Sequence, residues 1–168
     1  MKKIKSTLFF LVISYLAFAL IACAASPNFD TAGIDSSITP HRAVSESQAL
    51  QDEAVLWGGM VIVSTNLKDK TQLEILAYPL DSSQRPNRRY EPLGRFLATH
   101  EGYLETADYA QGRLITLRGV LEGKHTGRVG EAEYTYPVVK INQLHLWPGT
   151  GDAAESNVQF GFGLMIHN

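Results

Sequence analysis

Val55-Leu56-Trp57-Gly58-Gly59-Met60-Val61-Ile62-Val63-Ser64-Thr65 is the run that decides the fold. It is rich in β-branched and apolar side chains, which suit a pleated, half-buried surface. The glycine pair interrupts it, and glycine inside a strand marks a bulge or a sharp bend. A long, apolar, bent strand fits the corner of a small barrel. Next, Asn66–Lys70 reads as a polar turn and Thr71–Leu80 as a second strand, so the two make a hairpin. Asp81–Pro92 is a loop, marked by Ser82-Ser83, Arg85-Pro86 and Arg88-Arg89. Gly94–Thr99 is a short third strand. Leu104–Gln111 has helix-forming residue types and predicts a short helix. Arg113–Leu121 is a fourth strand, Gly123–Gly130 a wide hairpin loop, and Tyr134–Trp147 a long last strand. Pro137 pushes the start of that strand toward a sheet edge or a bulge. Five strands with one short helix between the third and fourth follow the OB-fold plan, a partly open Greek-key barrel. Lipocalin-like barrels and sandwiches need more strands than this chain supplies.

Upstream of the barrel, residues 24–44 read as a tether, with Ser26-Pro27-Asn28, Gly33, Ser36-Ser37 and Thr39-Pro40 among scattered apolar residues. Ser45-Glu46-Ser47-Gln48 has the form of a capping box and predicts a short helix running to Glu53. At the very start, Lys2, Lys3 and Lys5 precede an apolar block from Leu8 to Ala22, broken only by Ser14. A basic region, an apolar region and a small residue before a cleavage point make a signal peptide. The block is short for a membrane span, which needs about 20 apolar residues. The expected organisation is a signal peptide over 1–22, a flexible tether over 23–44, and a barrel domain with its tail over 45–168.

The ending Leu20-Ile21-Ala22-Cys23 closely resembles the lipobox of bacterial lipoproteins. That resemblance implies cleavage before Cys23, diacylglycerol on its thiol and an acyl chain on its new amine. Two or three acyl chains turn marginal membrane binding into stable anchoring. Ala24 and Ala25 follow, and the absence of an aspartate there resembles an outer-membrane address. Cys23 is the only cysteine, so an intramolecular disulfide is impossible. The chain has a net charge of −2, and loss of the three signal lysines takes it to −5. An acidic body does not suit a phosphate backbone, so no nucleic-acid partner is expected.

No catalytic, cofactor or metal constellation emerges from the spacing. His100 and Glu101 are adjacent, and neighbours on a strand point to opposite faces. His125 lies among glycines and His145 on the last strand, with no ligand spacing between them. Asp81, Ser82 and Ser83 read as turn chemistry, since no Gly-x-Ser-x-Gly surrounds a serine. Gly127-x-x-Gly130 and Gly149-x-Gly151 do not lead from a strand into a helix, as phosphate cradles do. Arg85, Arg88, Arg89 and Arg95 form one basic cluster. It reads first as a solvated loop and second as a surface for anionic lipid headgroups or lipopolysaccharide phosphates. Tyr134 and Tyr136 share a strand face, with Trp147 on the other by alternation unless a bulge intervenes. Exposed aromatics on such a barrel stack bases or sugars; core packing is the preferred reading for Trp57 and Trp147. The tail Phe160–Ile166 alternates apolar residues with glycine and is expected to dock, since a free tail of this kind invites aggregation.

Several segments together resemble the Slp family of Gram-negative outer-membrane lipoproteins. They are Trp57-Gly58-Gly59, Tyr78-Pro79-Leu80-Asp81, Arg85-Pro86, Gly94-Arg95-Phe96, Tyr109, and Gly112-Arg113-Leu114-Ile115-Thr116 with Gly119. Gly130-Glu131, Tyr134-x-Tyr136-Pro137-Val138-Val139 and Leu146-Trp147 complete the set. The resemblance implies an outer-membrane address and a context of starvation, stationary phase or acid stress, without a reaction. The expected function is therefore a lipid-anchored, non-enzymatic envelope interaction or scaffold module, with an envelope protein as possible partner. The alternative is a periplasmic small-molecule or glycan-binding hydrolase on the same anchor, using His100, Glu101 or Asp81.

Overall fold

The computed structural model describes residues 27–149. The segment 1–22 expected to be a signal peptide, Cys23 and the apolar run Phe160–Ile166 lie outside the described residues. Five strands, β1 (Ala54–Asn66), β2 (Lys70–Ala77), β3 (Gly94–Glu101), β4 (Leu114–Val129) and β5 (Ala132–Leu146), close a barrel in the order β1-β2-β3-β5-β4. All pairs are antiparallel except β3 with β5. This is the Greek-key barrel of the OB type.

The glycine pair places the barrel corner. The first half of β1 pairs with β4, from Ala54↔Val120 to Met60↔Leu114, and the second half with β2, from Gly59↔Ala77 onward. The changeover falls at Gly59-Met60, and the ladder slips by one residue between Val61 and Val63. Both features bend the strand. Inward positions follow the two-residue period: Val55, Trp57 and Val61; Leu73, Ile75 and Ala77; Phe96 and Ala98; Ile115 and Leu117; Val139 and Ile141. Trp57 packs edge-on against Phe96 with ring centres 5.1 Å apart. Its indole N–H donates to the Ile38 carbonyl at 2.8 Å, which satisfies the one polar atom the ring carries into the interior.

The short helix is not where the sequence placed it. Leu104–Gln111 forms a single turn, in which Asp108 N and Tyr109 N both donate to Glu105 O. Barrel side chains take the carbonyls a longer helix would need: Ser64 Oγ donates to Tyr109 O and Asn66 Nδ2 to Leu104 O. The helix that does form, α1 (Pro40–Ser45), ends where one was expected to begin. Its start signal is Thr39-Pro40: the Thr39 hydroxyl accepts from Arg42 N, and Pro40 occupies the first turn. Ser45-x-x-Gln48 is a chance match to the capping box.

Residues 27–44 also differ from a flexible tether. Phe29, Ile38 and Ala43 are buried, and Ile38, Ala43 and Leu50 join the barrel core. These apolar residues are too widely spaced to show a period, so no packed face is legible along the chain. The loop expected at Gly123–Gly130 is strand instead. β4 and β5 pair out to Val129↔Ala132, and only Gly130-Glu131 turns. Gly130 has φ +60, as the first turn residue of a type II′ hairpin requires.

Candidate functional site

The outer face of the barrel carries a second buried cluster. Gly58, Thr116 and His145 stand in one register row across β1, β4 and β5. Gly58 leaves room there for Leu80 and Pro86 of the β2–β3 loop, which sit on its missing Cβ. Trp147 joins this cluster because the β4–β5 ladder slips at Asn142, between the pairs Gly119↔Ile141 and Arg118↔Gln143. The slip reverses parity, so Leu144 and Leu146 pack inward and Trp147 turns outward, onto the face of Tyr134 and Tyr136. Pro137, the expected source of a bulge, stays in register with Lys124. Trp147 is nevertheless only 6% exposed.

The loop and the N-terminal segment bury it. Trp147 Nε1 donates to Thr116 Oγ1 at 2.9 Å, and that hydroxyl donates to Gln84 O at 2.6 Å. The Gln84 side chain accepts from Phe29 N at 2.9 Å and donates to Phe29 O at 3.1 Å, as a strand neighbour would. The Arg85 guanidinium lies 5.3 Å above the Trp147 ring, a cation–π contact. The loop holds itself in shape through Asp81, whose carboxylate accepts from Ser83 N and Arg85 N, and through the Leu80↔Pro86 bridge. Beside this clamp is a cleft of about 520 Å³, walled by Ile34, Ile38, Leu56, Tyr78, Leu80 and Leu93, with Thr31, Asp35 and Gln84 among its polar groups. Hydrogen bonds from Ser37 hold the Asp35 carboxyl below its usual range.

His145 packs edge-on to Trp147, with ring centres 4.6 Å apart, and burial lowers its pKa below 6.5. The unfolded chain therefore takes up this proton at a higher pH than the folded one. Stability from this source is full above about pH 6.5 and declines as pH falls toward the folded value. His145→Gln should flatten the fall in thermal midpoint below pH 6.5. A slope identical to that of the unsubstituted protein would exclude His145 as a contributor.

The other residues singled out by sequence lie apart. His100 is opposite Thr71 at the start of β2, while Asp81 follows the end of β2, so the strand puts roughly 20 Å between them. Glu101 pairs with Lys140 at 3.1 Å, and His125 is exposed on the β4–β5 arm. Among the described residues no three His, Cys, Asp or Glu side chains converge as metal ligands. Ser82 and Ser83 are exposed turn residues. Arg95 leaves the basic cluster to pair with Glu74 at 2.6 Å. Tyr134 and Tyr136 are not a stacking platform. Their rings pack edge-on at 4.6 Å, Tyr134 Oη accepts from Arg95 N, and Tyr136 is 3% exposed with its hydroxyl near Glu74 and Arg128 O. Burial raises the Tyr136 phenol above its usual range. Sequence reasoning missed Thr116 and Gln84 as the centre of the clamp. Gln84 sits at φ +63, a strained choice that no composition signal announces.

The family model described as the outer membrane lipoprotein Slp family matches residues 20–163. An uncharacterized protein of Haemophilus influenzae is 33% identical over 148 residues, covering 85% of this chain and 76% of that protein. The uncharacterized lipoprotein YeaY of Escherichia coli K12 is 33% identical over 67% of this chain and 60% of its own length. The outer membrane protein Slp of the same organism is 28% identical over 81% of this chain and 73% of its own. Among solved structures, the mitochondrial single-stranded DNA-binding protein Rim1 of S. cerevisiae covers 57% of this chain and 95% of its own, at 13% identity and a TM-score of 0.37. A small single-stranded DNA-binding protein of Streptomyces coelicolor scores 0.36 at 13% identity, covering 57% of this chain and 94% of its own. At such scores the likeness says nothing about ligands, and the barrel assignment stands on the strand pairing itself.

Proposed function

Because this chain belongs to the outer membrane lipoprotein Slp family, we propose that acyl chains on Cys23 hold it on the outer membrane, where it works as a non-enzymatic interaction or scaffold module. The observation that carries this reading is the dispersal of its reactive groups. His100, Glu101, His125 and Asp81 occupy separate ladder, ion-pair and turn positions, whereas the apolar cleft beside the Trp147 clamp is shaped for contact. Function is argued from a site, and a contact surface is the site available. A hydrolase would need an imidazole and a carboxylate sharing a pocket, and the length of β2 separates His100 from Asp81. A nucleic acid is not proposed as a ligand, given the −5 body and the internally engaged tyrosines. Starvation, stationary phase and acid stress are the conditions in which the module would act.

Mass spectrometry of the mature protein is expected to find an acylated N-terminal Cys23. Cys23→Ser is expected to abolish acylation and leave an unprocessed precursor, because the thiol is the lipid acceptor. An unmodified Cys23, or cleavage elsewhere, overturns the anchor. In-cell crosslinking of the lipidated protein would then identify what the barrel touches. If a charge-neutral change at His100, Glu101 or His125 erased the envelope phenotype in a protein that still folds, the hydrolase reading would replace this one.

A further inference from the structure

We propose that the β2–β3 loop is a membrane-docking element, with Arg88 and Arg89 set against the anionic phosphate headgroups of the leaflet that holds Cys23. The inference rests on the reading of Cys23 as the lipid anchor and adds to it an orientation of the barrel. Covalent geometry supplies the first constraint. Six Cα–Cα steps lead from Cys23 to Phe29, a reach of at most about 21 Å. Phe29 is bonded through both its N–H and its C=O to the side chain of Gln84, inside the loop. The loop is thus held on a short tether from the anchor, together with the Gln143–His145 stretch of β5 beside Pro27–Phe29. Leu67, in the β1–β2 turn, lies at the opposite end of β2, roughly 24 Å along the strand.

The second constraint is charge. Arg88 and Arg89 are exposed, and neither guanidinium has an ion pair or hydrogen bond among the described residues. Arg85 stands nearby over Trp147, and Tyr90 beside them is 62% exposed. An amphipathic tyrosine next to cations is the composition of an interfacial contact. The opposing charges on the loop are Asp81, whose Oδ1 accepts from Ser83 N and Arg85 N, and exposed Glu91. The loop itself is net positive, Arg85, Arg88 and Arg89 against Asp81 and Glu91, on a body of −5, and Asp30 and Asp35 lie on the segment packed against it, so an anionic surface attracts the exposed arginine tip of this face. The third constraint is rigidity. Asn87 N bonds Pro79 O, Tyr90 N bonds Asn87 O, Arg89 N bonds Asn87 Oδ1 and Leu93 N bonds Ala77 O, so the arginines are presented on a fixed turn.

The test uses the full acylated protein in phosphatidylcholine vesicles with and without phosphatidylglycerol. The mature chain's only thiol is acylated, so Pro92→Cys and Leu67→Cys each offer one site for a nitroxide label. On phosphatidylglycerol vesicles the label at 92 should be several-fold less accessible to a water-soluble relaxation agent than the label at 67. The double change Arg88→Glu and Arg89→Glu, or high salt, should abolish that difference. Equal accessibility at the two sites, with Cys23 acylation confirmed by mass on the same sample, overturns the docking and leaves the anchor intact. Protection at 92 that persists on phosphatidylcholine alone, or in the charge-reversed pair, overturns the headgroup assignment. An unmodified Cys23 overturns both readings and is recognised by mass before any label is attached.

Discussion

Replacing Trp147 with alanine is expected to destabilise the protein by about 3–5 kcal/mol, the range for truncating a buried tryptophan. The effect should be uneven. Trp147 is not part of the barrel interior; it is sandwiched on the outer face between Arg85, His145 and the Gly58–Thr116 row. Its removal takes away the floor on which the β2–β3 loop and the Phe29 segment rest. Hydrogen exchange should therefore show the amides of residues 78–93 opening before those of the β1–β2 ladder. Trp147→Phe separates ring from hydrogen bond. It keeps most of the apolar surface and loses the donor to Thr116, a change of about 0.5–1.5 kcal/mol. Equilibrium denaturation reads both. A loss below about 1 kcal/mol for alanine, on the scale of a truncated side chain with no cavity behind it, would show that the loop holds without the ring.

Gly59→Ala should be still more damaging, above about 4 kcal/mol, and should leave little folded protein. A Cβ on Gly59 would lie 2.1 Å from the carbonyl oxygen of Leu76 and 2.7 Å from Ile75 Cγ2. The oxygen belongs to the ladder of β2, so it cannot withdraw without opening the pairing at the barrel corner. Gly119 meets the same obstacle in the Lys140 carbonyl, at 2.3 Å. Gly127→Ala is the control. Its nearest obstacle is the edge of the Tyr136 ring at 3.2 Å, which a small rotation relieves. Thermal and denaturant midpoints should rank Gly59 and Gly119 far below Gly127. Equal midpoints for Gly59→Ala and Gly127→Ala would mean that the β1 bend does not depend on close backbone approach.

The strand plan was legible because each strand declares itself locally. β1 is a run of β-branched and apolar residues, β2 alternates in burial with period two, and the turn between them is polar. Glycine in β1 marked the corner for the same reason: the chain bends where a side chain will not fit. Element ends were less legible. The arm from Lys124 to Tyr136 looked like loop because its glycines and charges match turn composition, yet a two-residue turn at Gly130 lets the ladder run to its end. The helix failed differently. Residue types in Leu104–Gln111 favour helix, but Ser64 and Asn66 capture its carbonyls. Local propensity is worth tenths of a kcal/mol per residue, and hydrogen bonds from a barrel rim outweigh it.

By itself the sequence determined the order of five strands, the bent first strand, and burial of both tryptophans. Each of these follows from neighbours along the chain: β-branched and apolar runs between polar turns, a glycine pair, a large apolar ring. Tertiary structure alone decided that Trp147 lies outside the barrel rather than within it, because one extra residue at Asn142 reverses every side chain after it. It alone decided that Phe29, Ile38 and Ala43 are packed, since their spacing has no period and their partners lie far along the chain. The clamp of Thr116, Gln84, Phe29 and Trp147 joins four separate segments, so no stretch of sequence contains it.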